Sequence, residues 1–400
     1  MGKVLRELLA ACRLNLSSLG ARRGGAAITV SGFAAVVGIL IAALAVATGF
    51  RGAFEHAGSP DVAIVLNSGV NTEVYSSLSA DQVHAIAQAP GVARIGGKPA
   101  VAPEVMASFD VRYAVSGTRA TIVFRGVTPM AFRIHPAVHI VRGRMFRPGL
   151  DEIVVGEGAA ARFHGLTLGS QVTQGGRRWS VVGIFDAGDT LYGSEVWTDA
   201  HVLQDVAHSG NKYSADIVKL ASPQAFDTFE HALESNPQLS VSVWQERAYY
   251  ARQSRRIAQF ITWIGGAVAL LMGIGAIFGA LNTMYSAVAA RTREIATLRA
   301  LGFGRGAVLA SVLAESLLLG LAGAAIGSTL AYFGFNNLHA STVNYNGSID
   351  TATQVAFTLA VTPAVLMIGA AWAVAMGFVG GLFPAIRAAR LPVATALRDI

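Results

Sequence analysis

Charge is scarce in this chain of 400 residues: 14% of the side chains are Asp, Glu, Lys or Arg, while 53% are hydrophobic. Soluble domains carry roughly 25% charge, so an ordinary water-soluble globule is excluded. Lysine is scarcer still, occurring at Lys3, Lys98, Lys212 and Lys219. A phosphate-binding P-loop needs Lys followed by Ser or Thr after a glycine-rich turn, because the ammonium bridges phosphates while the hydroxyl holds Mg²⁺. Lys98 precedes Pro99, and the hydroxyl near Lys212 comes one position too late. The chain is therefore expected to bind no cofactor itself, and work from ATP and Mg²⁺ falls to a separate subunit. Cysteine occurs once, at Cys12, which rules out an intrachain disulfide. The preceding LAA resembles a lipoprotein cleavage box, but Arg6 and Glu7 interrupt the apolar stretch before it, and lipidation is not expected. Catalytic signatures are missing too: there is no G-x-S-x-G elbow and no HExxH glutamate. Pro136 lies between His135 and His139, so that stretch reads as a surface loop and not as a metal site. No catalytic or metal-binding residue is expected, and the chain is not read as an enzyme.

What the chain has instead is long apolar runs. Residues 24–50, 257–290 and 351–386 contain no Asp, Glu, Lys or Arg, and 306–335 is interrupted only by Glu315. Each exceeds the ~20 residues that span a bilayer. The layout expected is a cytoplasmic amphipathic helix (1–25), a first transmembrane helix (26–50), a large insert (51–256) and a second transmembrane helix with its cytoplasmic extension (257–290). A cytoplasmic helix and loop (291–305), a third transmembrane helix (306–335), an outer loop (336–350), a fourth transmembrane helix (351–383) and a cytoplasmic tail (384–400) complete it. In 1–25, Val4, Leu5, Leu8, Leu9, Cys12 and Leu16 share a helix face opposite Lys3, Arg6 and Arg13, as suits a helix lying in the lipid surface.

Charge also orients the chain. The 206-residue insert carries 19 basic and 19 acidic side chains, whereas 1–25, 291–305 and the tail from Arg387 gather twelve basic residues against Glu7, Glu294 and Asp399. The 336–350 loop has no Lys or Arg. Basic residues stay on the cytoplasmic side of short loops, which puts both termini and the 291–305 loop in the cytoplasm and the insert outside. The net charge of +7 is thereby accounted for by membrane ends, without a nucleic-acid partner.

Within the insert, DVAIVL (61–66) reads as a strand, and Ser79 with Gln82 forms a capping-box signal for a helix closed by Pro90 and Gly91. Near the other end SADIVKL (214–220) is strand-like, Ser222 and Pro223 start a helix carrying Phe226, Phe229 and Leu233, and LSVSVW (239–244) follows. Two β-α-β-like pieces thus flank a glycine-bearing, β-rich middle from about 123 to 205. The fold class expected is an α-helical membrane protein with four transmembrane helices and a large mixed α/β extracytoplasmic domain between the first two.

The densest charge lies in ARTREIATLRALGFGRGAVLASVLAESLLLG, residues 290–320. If the second transmembrane helix runs on past the membrane, Arg291, Arg293, Glu294, Ile295, Leu298 and Arg299 form a short helix that Gly302 ends. Two readings stand side by side. The arginines anchor topology and meet anionic lipid headgroups, or the helix docks on a soluble protein with Ile295 and Leu298 as apolar anchors. Glu315, about 13 Å along the third helix from Gly306, is either a cargo or proton site or a structural acid bonded to a neighbouring helix or to a basic residue at the inner boundary. Glycine pairs 275 and 279, 323 and 327, and 377 and 381 (Gly275, Gly279, Gly323, Gly327, Gly377, Gly381) offer small faces for close helix contact. Tyr249, Tyr250, Trp263, Tyr332 and Phe333 are expected at the outer interface.

RTREIATLRALGFGRGAVLASVLAESLLLGLAGAAIG and the tail FPAIRAARLPVATALRD resemble the MacB/FtsX-like ABC transporter permeases, and the layout is similar over the whole chain. The resemblance implies a homodimer or pseudo-dimer of permeases with separate ABC ATP-binding subunits, docked through the 291–305 segment. It further implies that ATP binding and hydrolysis move the outer domains, either to expel an amphiphile, peptide or lipid-linked cargo, with a periplasmic adaptor or lipoprotein as a further partner, or to signal to an extracytoplasmic enzyme as FtsX-like members do.

Overall fold

The computed structural model describes residues 23–188, 190–345 and 352–391. The expected surface helix, but for its last three residues, and the end of the tail lie outside these. The chain forms two compact units, one of residues 49–258 with 339–358, the other of the described residues up to 48 with 259–338 and those from 359 onward.

The first unit is built on one mixed sheet. From its edge, Val241–Gln245 pairs with Val62–Asn67, then Ala215–Lys219, then Val101–Arg112, all antiparallel. Helix Ala80–Ala87 follows the first strand in sequence and Phe226–Glu234 precedes the last, which is the order of a split β-α-β module. The two β-α-β-like pieces are therefore halves of one module, closed over Val65, Leu78, Ile86, Val218, Phe229 and Leu233. Local signals set the helices. Ser79 Oγ accepts from Gln82 N at 3.2 Å while Gln82 Oε1 accepts from Ser79 N at 2.8 Å, and Phe229 and Leu233, four apart, bury one face of Phe226–Glu234.

The middle section grows out of this module along a single strand. Val101–Arg112 pairs with Ala215–Lys219 over 101–104 and with Arg119–Val127 over 105–112. Val196–Asp199 lies parallel to Arg119–Val127, and Glu152–Gly156, Arg177–Asp186 and His139–Gly143 extend the sheet. Gln171–Gln174 folds onto Arg177–Asp186 through Gly175 and Gly176, both at positive φ, which glycine alone adopts freely in so tight a turn. Ile122, Phe124, Ile153, Trp179, Val181 and Leu203 fill the second core.

The expected 336–350 loop and the helix expected from 351 are corrected here. His339–Tyr345 and Ala352–Thr358 form an antiparallel hairpin, and the helix begins at Pro363. Absence of charge does not distinguish an apolar helix from a strand; Thr353, Val355 and Phe357, each two apart, favour the strand, and Thr362 followed by Pro363 sets the helix start. Thr362 Oγ1 accepts from Val365 N at 3.4 Å.

Among the described residues four helices are long and apolar enough to cross a membrane: Gly24–Glu55, Glu246–Ala290, Arg305–Phe335 and Pro363–Ala389. The second starts well before 257, with Glu246 in its first turn where a carboxylate suits the positive end of the helix dipole. In the second unit Gly323 and Gly327 lie against Phe33 and Ala34 of the first helix, and Gly377 and Gly381 against Ser316 of the third. A Cβ at any of these four would come to 3.0 Å or less of a neighbouring atom. Ser316 Oγ donates to the Gly377 carbonyl at 2.6 Å, a bond that the close approach permits. A Cβ at Gly275 or Gly279 would meet no atom of another element within 4 Å among the described residues, so that face of the second helix is open.

Gly327→Val should therefore cost ~1–3 kcal/mol through overpacking. We expect a lowered thermal unfolding midpoint for the detergent-purified chain, with Gly279→Val unchanged; equal midpoints would show that the Gly327 contact is not made.

Candidate functional site

The second apolar helix ends at Ala290, and the chain turns a corner there. Glu246–Ala290 stops before Arg291, whose φ of −110° and ψ of 12° leave the helical range, and Thr292–Ala300 starts at once as a separate helix. Gly302, at φ 97°, ends it, and Arg305–Phe335 follows from Gly304.

Charge pins this corner. Arg291 turns inward, 5% exposed, and its Nη1 lies 3.3 Å from Oε2 of the equally buried Glu315. A carboxylate within an apolar helix needs such a partner. Arg299 reaches the end of Pro363–Ala389, Nη1 donating to the carbonyls of Ala389 at 2.9 Å and Leu391 at 3.1 Å, where a cation meets the negative end of a helix dipole. Ile295 is buried among Met284, Val288, Val308, Val312 and Ala385.

The six residues expected to face a partner thus divide. Arg291, Ile295 and Arg299, spaced by four, form the face that holds the helix to its own unit. Leu298 is half-buried, and Arg293 and Glu294 are exposed, together with Thr297 and Leu301, the last 73% exposed. Ile295 is therefore not a free anchor, because the apolar stripe of so short a helix is satisfied within the chain. Leu301 escaped notice because it sits at the helix C-cap, outside the periodic stripe.

A second concentration of charge lies in the sheet-bearing unit. Arg125, buried on Arg119–Val127, donates from Nη1 to Glu104 Oε2 at 2.6 Å and from Nε and Nη2 to Glu195 at 2.7 and 2.8 Å; Nη2 also lies 3.5 Å from Glu73 Oε2. Glu195 further accepts from Trp197 Nε1 at 2.8 Å. Glu246 stands before the apolar stretch of its helix, accepts from Ser59 N at 2.9 Å and Tyr192 Oη at 3.2 Å, and lies 3.5 Å from His135 Nε2. Tyr249 Oη accepts from Glu73 N at 3.2 Å, and Tyr250 Oη lies 3.4 Å from Glu73 Oε1. Burial raises Glu104 to about 7 and Glu246 to about 8 and also raises Glu73, with Arg125 opposing at Glu104 and Glu73. Burial, then the charge of Arg125, lowers His135 to about 3.

Two expectations are corrected by this core. His135 is not in a surface loop but buried, its ring 5.3 Å from that of Tyr192, because the short helix Ala131–Ile134 packs inward and carries it along. Tyr249 and Tyr250 are sealed here and mark no membrane interface, whereas Trp263, Tyr332 and Phe333 are exposed. The cluster escaped sequence reading because its glutamates lie at 73, 104, 195 and 246, too far apart for any spacing rule. Its local trace is Glu104 and Arg125, each within an apolar stretch of its strand, VAPEVMA and TIVFRGV. Among the described residues no group of three or more His, Cys, Asp or Glu could hold a metal.

Comparison with known proteins agrees with this architecture. Residues 26–236 match the MacB-like periplasmic core domain and 266–393 the FtsX-like permease C-terminal region. The macrolide export ATP-binding/permease protein MacB of Hyphomonas neptunium is 30% identical over 138 residues, 34% of this chain and 19% of that protein. The uncharacterized ABC transporter permease YknZ of Bacillus subtilis is 28% identical over 185 residues, 46% of this chain and 43% of that one. The chain spans less than half the length of these curated relatives. The crystal structure of the periplasmic region of MacB from Actinobacillus actinomycetemcomitans aligns at 14% identity with a TM-score of 0.36, covering 48% of this chain and 92% of that one.

The inner corner yields a direct test. Glu315→Leu leaves Arg291 buried without this carboxylate and should cost ~3–5 kcal/mol, read as a lowered unfolding midpoint. Adding Arg291→Met should restore most of the loss, and a double-mutant cycle without coupling would show that the pair carries no energy.

Proposed function

We propose that this chain, which belongs to the MacB/FtsX-like family of ABC transporter permeases, is the membrane subunit that couples a separate ATP-binding subunit to movements of its sheet-bearing domain. The observation that carries this reading is the Thr292–Ala300 helix, fixed on one face and exposed on the other. Its fixed face joins three apolar helices: Arg291 ends the second, Glu315 belongs to the third, and Arg299 caps the fourth. A push on Arg293, Glu294, Thr297 and Leu301 therefore reaches all three, because the contacts that would otherwise absorb it are ionic, hydrogen-bonded and packed. The partner supplies ATP and Mg²⁺, a reading supported by the four lysines of this chain, none of which stands in a P-loop pattern.

In the membrane, four helices cross and both termini lie in the cytoplasm with the sheet-bearing domain outside; the charge asymmetry of the short segments supports this. Two permease chains, alike or paired with a relative, stand with two ATP-binding subunits, and the open face at Gly275 and Gly279 supports contact through the second helix. The cargo class is an amphiphile, peptide or lipid-linked molecule handled by the outer domain, with a periplasmic adaptor or lipoprotein as a further partner. The size of the outer domain supports export.

Docking is tested at the exposed face. Leu301→Asp with Arg293→Glu should insert normally yet lose ~2–4 kcal/mol of partner binding, roughly 30-fold to 1000-fold in affinity. Ile295→Asp should instead weaken the fold itself. Undiminished co-purification of the ATP-binding subunit with the double variant at normal membrane level would sink the docking reading.

Topology is tested in a Cys12→Ser background. Val115→Cys, at a fully exposed tip, should react with an impermeant reagent added outside, and Thr297→Cys only after permeabilisation. Reversed labelling would overturn the orientation.

A further inference from the structure

The carboxyl groups around Arg125 outnumber the cations available to them. This core is faced by Glu73 from the turn Glu73–Tyr75, Glu104 from Val101–Arg112 and Arg125 from Arg119–Val127. His135 follows Ala131–Ile134, Tyr192 and Glu195 come from the segment before Val196–Asp199, and Glu246, Tyr249 and Tyr250 open their helix. Asp216 on Ala215–Lys219 is wholly buried near Glu104, with neither carboxylate oxygen hydrogen-bonded. Lys219 acts on His135 only through space and is itself paired with Asp61 at 2.7 Å.

Three buried glutamates thus share one guanidinium and a fourth, Glu246, is buried beside them, so ionising all four would leave a large uncompensated negative charge in the interior. Glu195 is the best-served anion, with two bonds from Arg125 and one from Trp197. Glu246 has no arginine or lysine within ion-pair distance among the described residues, and His135 Nε2, buried and without a hydrogen-bond partner, lies 3.5 Å from its Oε1. A neutral carboxyl at Glu246 turns its O–H toward that nitrogen; an ionised one faces it with nothing to donate unless the imidazole charges.

The position of the core gives this charge a mechanical meaning. Glu104 is the last residue of the shared strand to pair with the split β-α-β module, and Val105 the first to pair with the middle section. Arg125 belongs to the middle section, while Glu73 and Glu246 lie beside strands of the module.

We propose that this core is a proton-binding site governing how firmly the two halves of the sheet-bearing unit are joined: Glu104 and Glu246 carry protons while the junction is closed, and releasing them sets carboxylates against one another at the shared strand. The sign follows from the directions of the shifts. Carboxyls raised above their ordinary range stabilise the fold fully below about 4.5 and lose that contribution as pH climbs through about 7 for Glu104 and about 8 for Glu246. His135, lowered to about 3, works the other way, its contribution present above about 6.5 and lost as pH falls. The junction is thus firmest in mildly acidic solution and loosens as pH rises past neutrality. With the domain outside, as proposed above, the pH sensed is that of the outer compartment; proton binding itself does not depend on that placement, which the cysteine labelling tests separately.

The experiment is hydrogen–deuterium exchange on the full chain in lipid nanodiscs, corrected for intrinsic rates, from about pH 6 to about pH 9. Peptides covering 101–112 and 119–127 should lose protection about tenfold or more over this range, since one pKa unit of differential interaction is a factor of ten. Glu104→Gln with Glu246→Gln should lose clearly less protection over this range, and Glu157→Gln, on the exposed surface, should follow the unmodified chain. Infrared spectra of the unmodified chain, which need no variant, should show the C=O stretch of protonated buried carboxyls at about pH 6 and its weakening by about pH 9. Protection independent of pH, the same loss in the paired variant, or no protonated carboxyl band would each overturn the proposal.

Discussion

A guanidinium can stay in a sealed interior only if carboxylates reach it, and Arg125 obtains them from three separate segments, at Glu73, Glu104 and Glu195. That requirement ties together parts of the sheet-bearing unit that sequence keeps far apart. The strand arriving from the split module must end its pairing at Glu104, the middle section must bring Glu195 back beside Arg125, and the turn at Glu73 must close over both. Replacing such a core by apolar side chains of similar volume is often harmless to stability. Stability alone therefore does not account for a charged core at this place, whereas titration at the junction gives the charge a use.

The same logic recurs in the helical unit on a smaller scale. Arg291 and Glu315 each make the other tolerable in an apolar setting, and the pair fixes the corner from which Thr292–Ala300 departs. Because Arg299 then satisfies the free carbonyls of the fourth helix, the short helix is tied at both ends. Between the ties, packing of Ile295 removes the freedom that a short surface helix would otherwise have.

Much of this was legible in the sequence because it rests on local chemistry. Apolar runs announced four long helices, the Ser79 and Gln82 pair announced a capped helix, and the signature around RTREIATLRALG announced the family. What was not legible depends on contacts between distant segments. Ile295 looked like a free anchor because the residues that bury it, Met284, Val312 and Ala385 among them, come from three different helices. His135 looked exposed because Pro136 signals a turn but says nothing of which way the turn faces. Residues 351–362 looked like the start of a helix because hydropathy alone does not distinguish strand from helix in so short an apolar run. Tyr249 and Tyr250 looked like interface aromatics because their acidic neighbours are contributed from as far away as Glu73.

The shared strand Val101–Arg112 also acts as a ruler. Side chains alternate between the two faces of a sheet, so a single residue inserted between Glu104 and Val105 would send one half's buried side chains to solvent while leaving the other half in place. A change of length is accordingly tolerated only where it shifts no register, such as the exposed tip at 113–118, and the two halves depend on one register even though each encloses a core of its own.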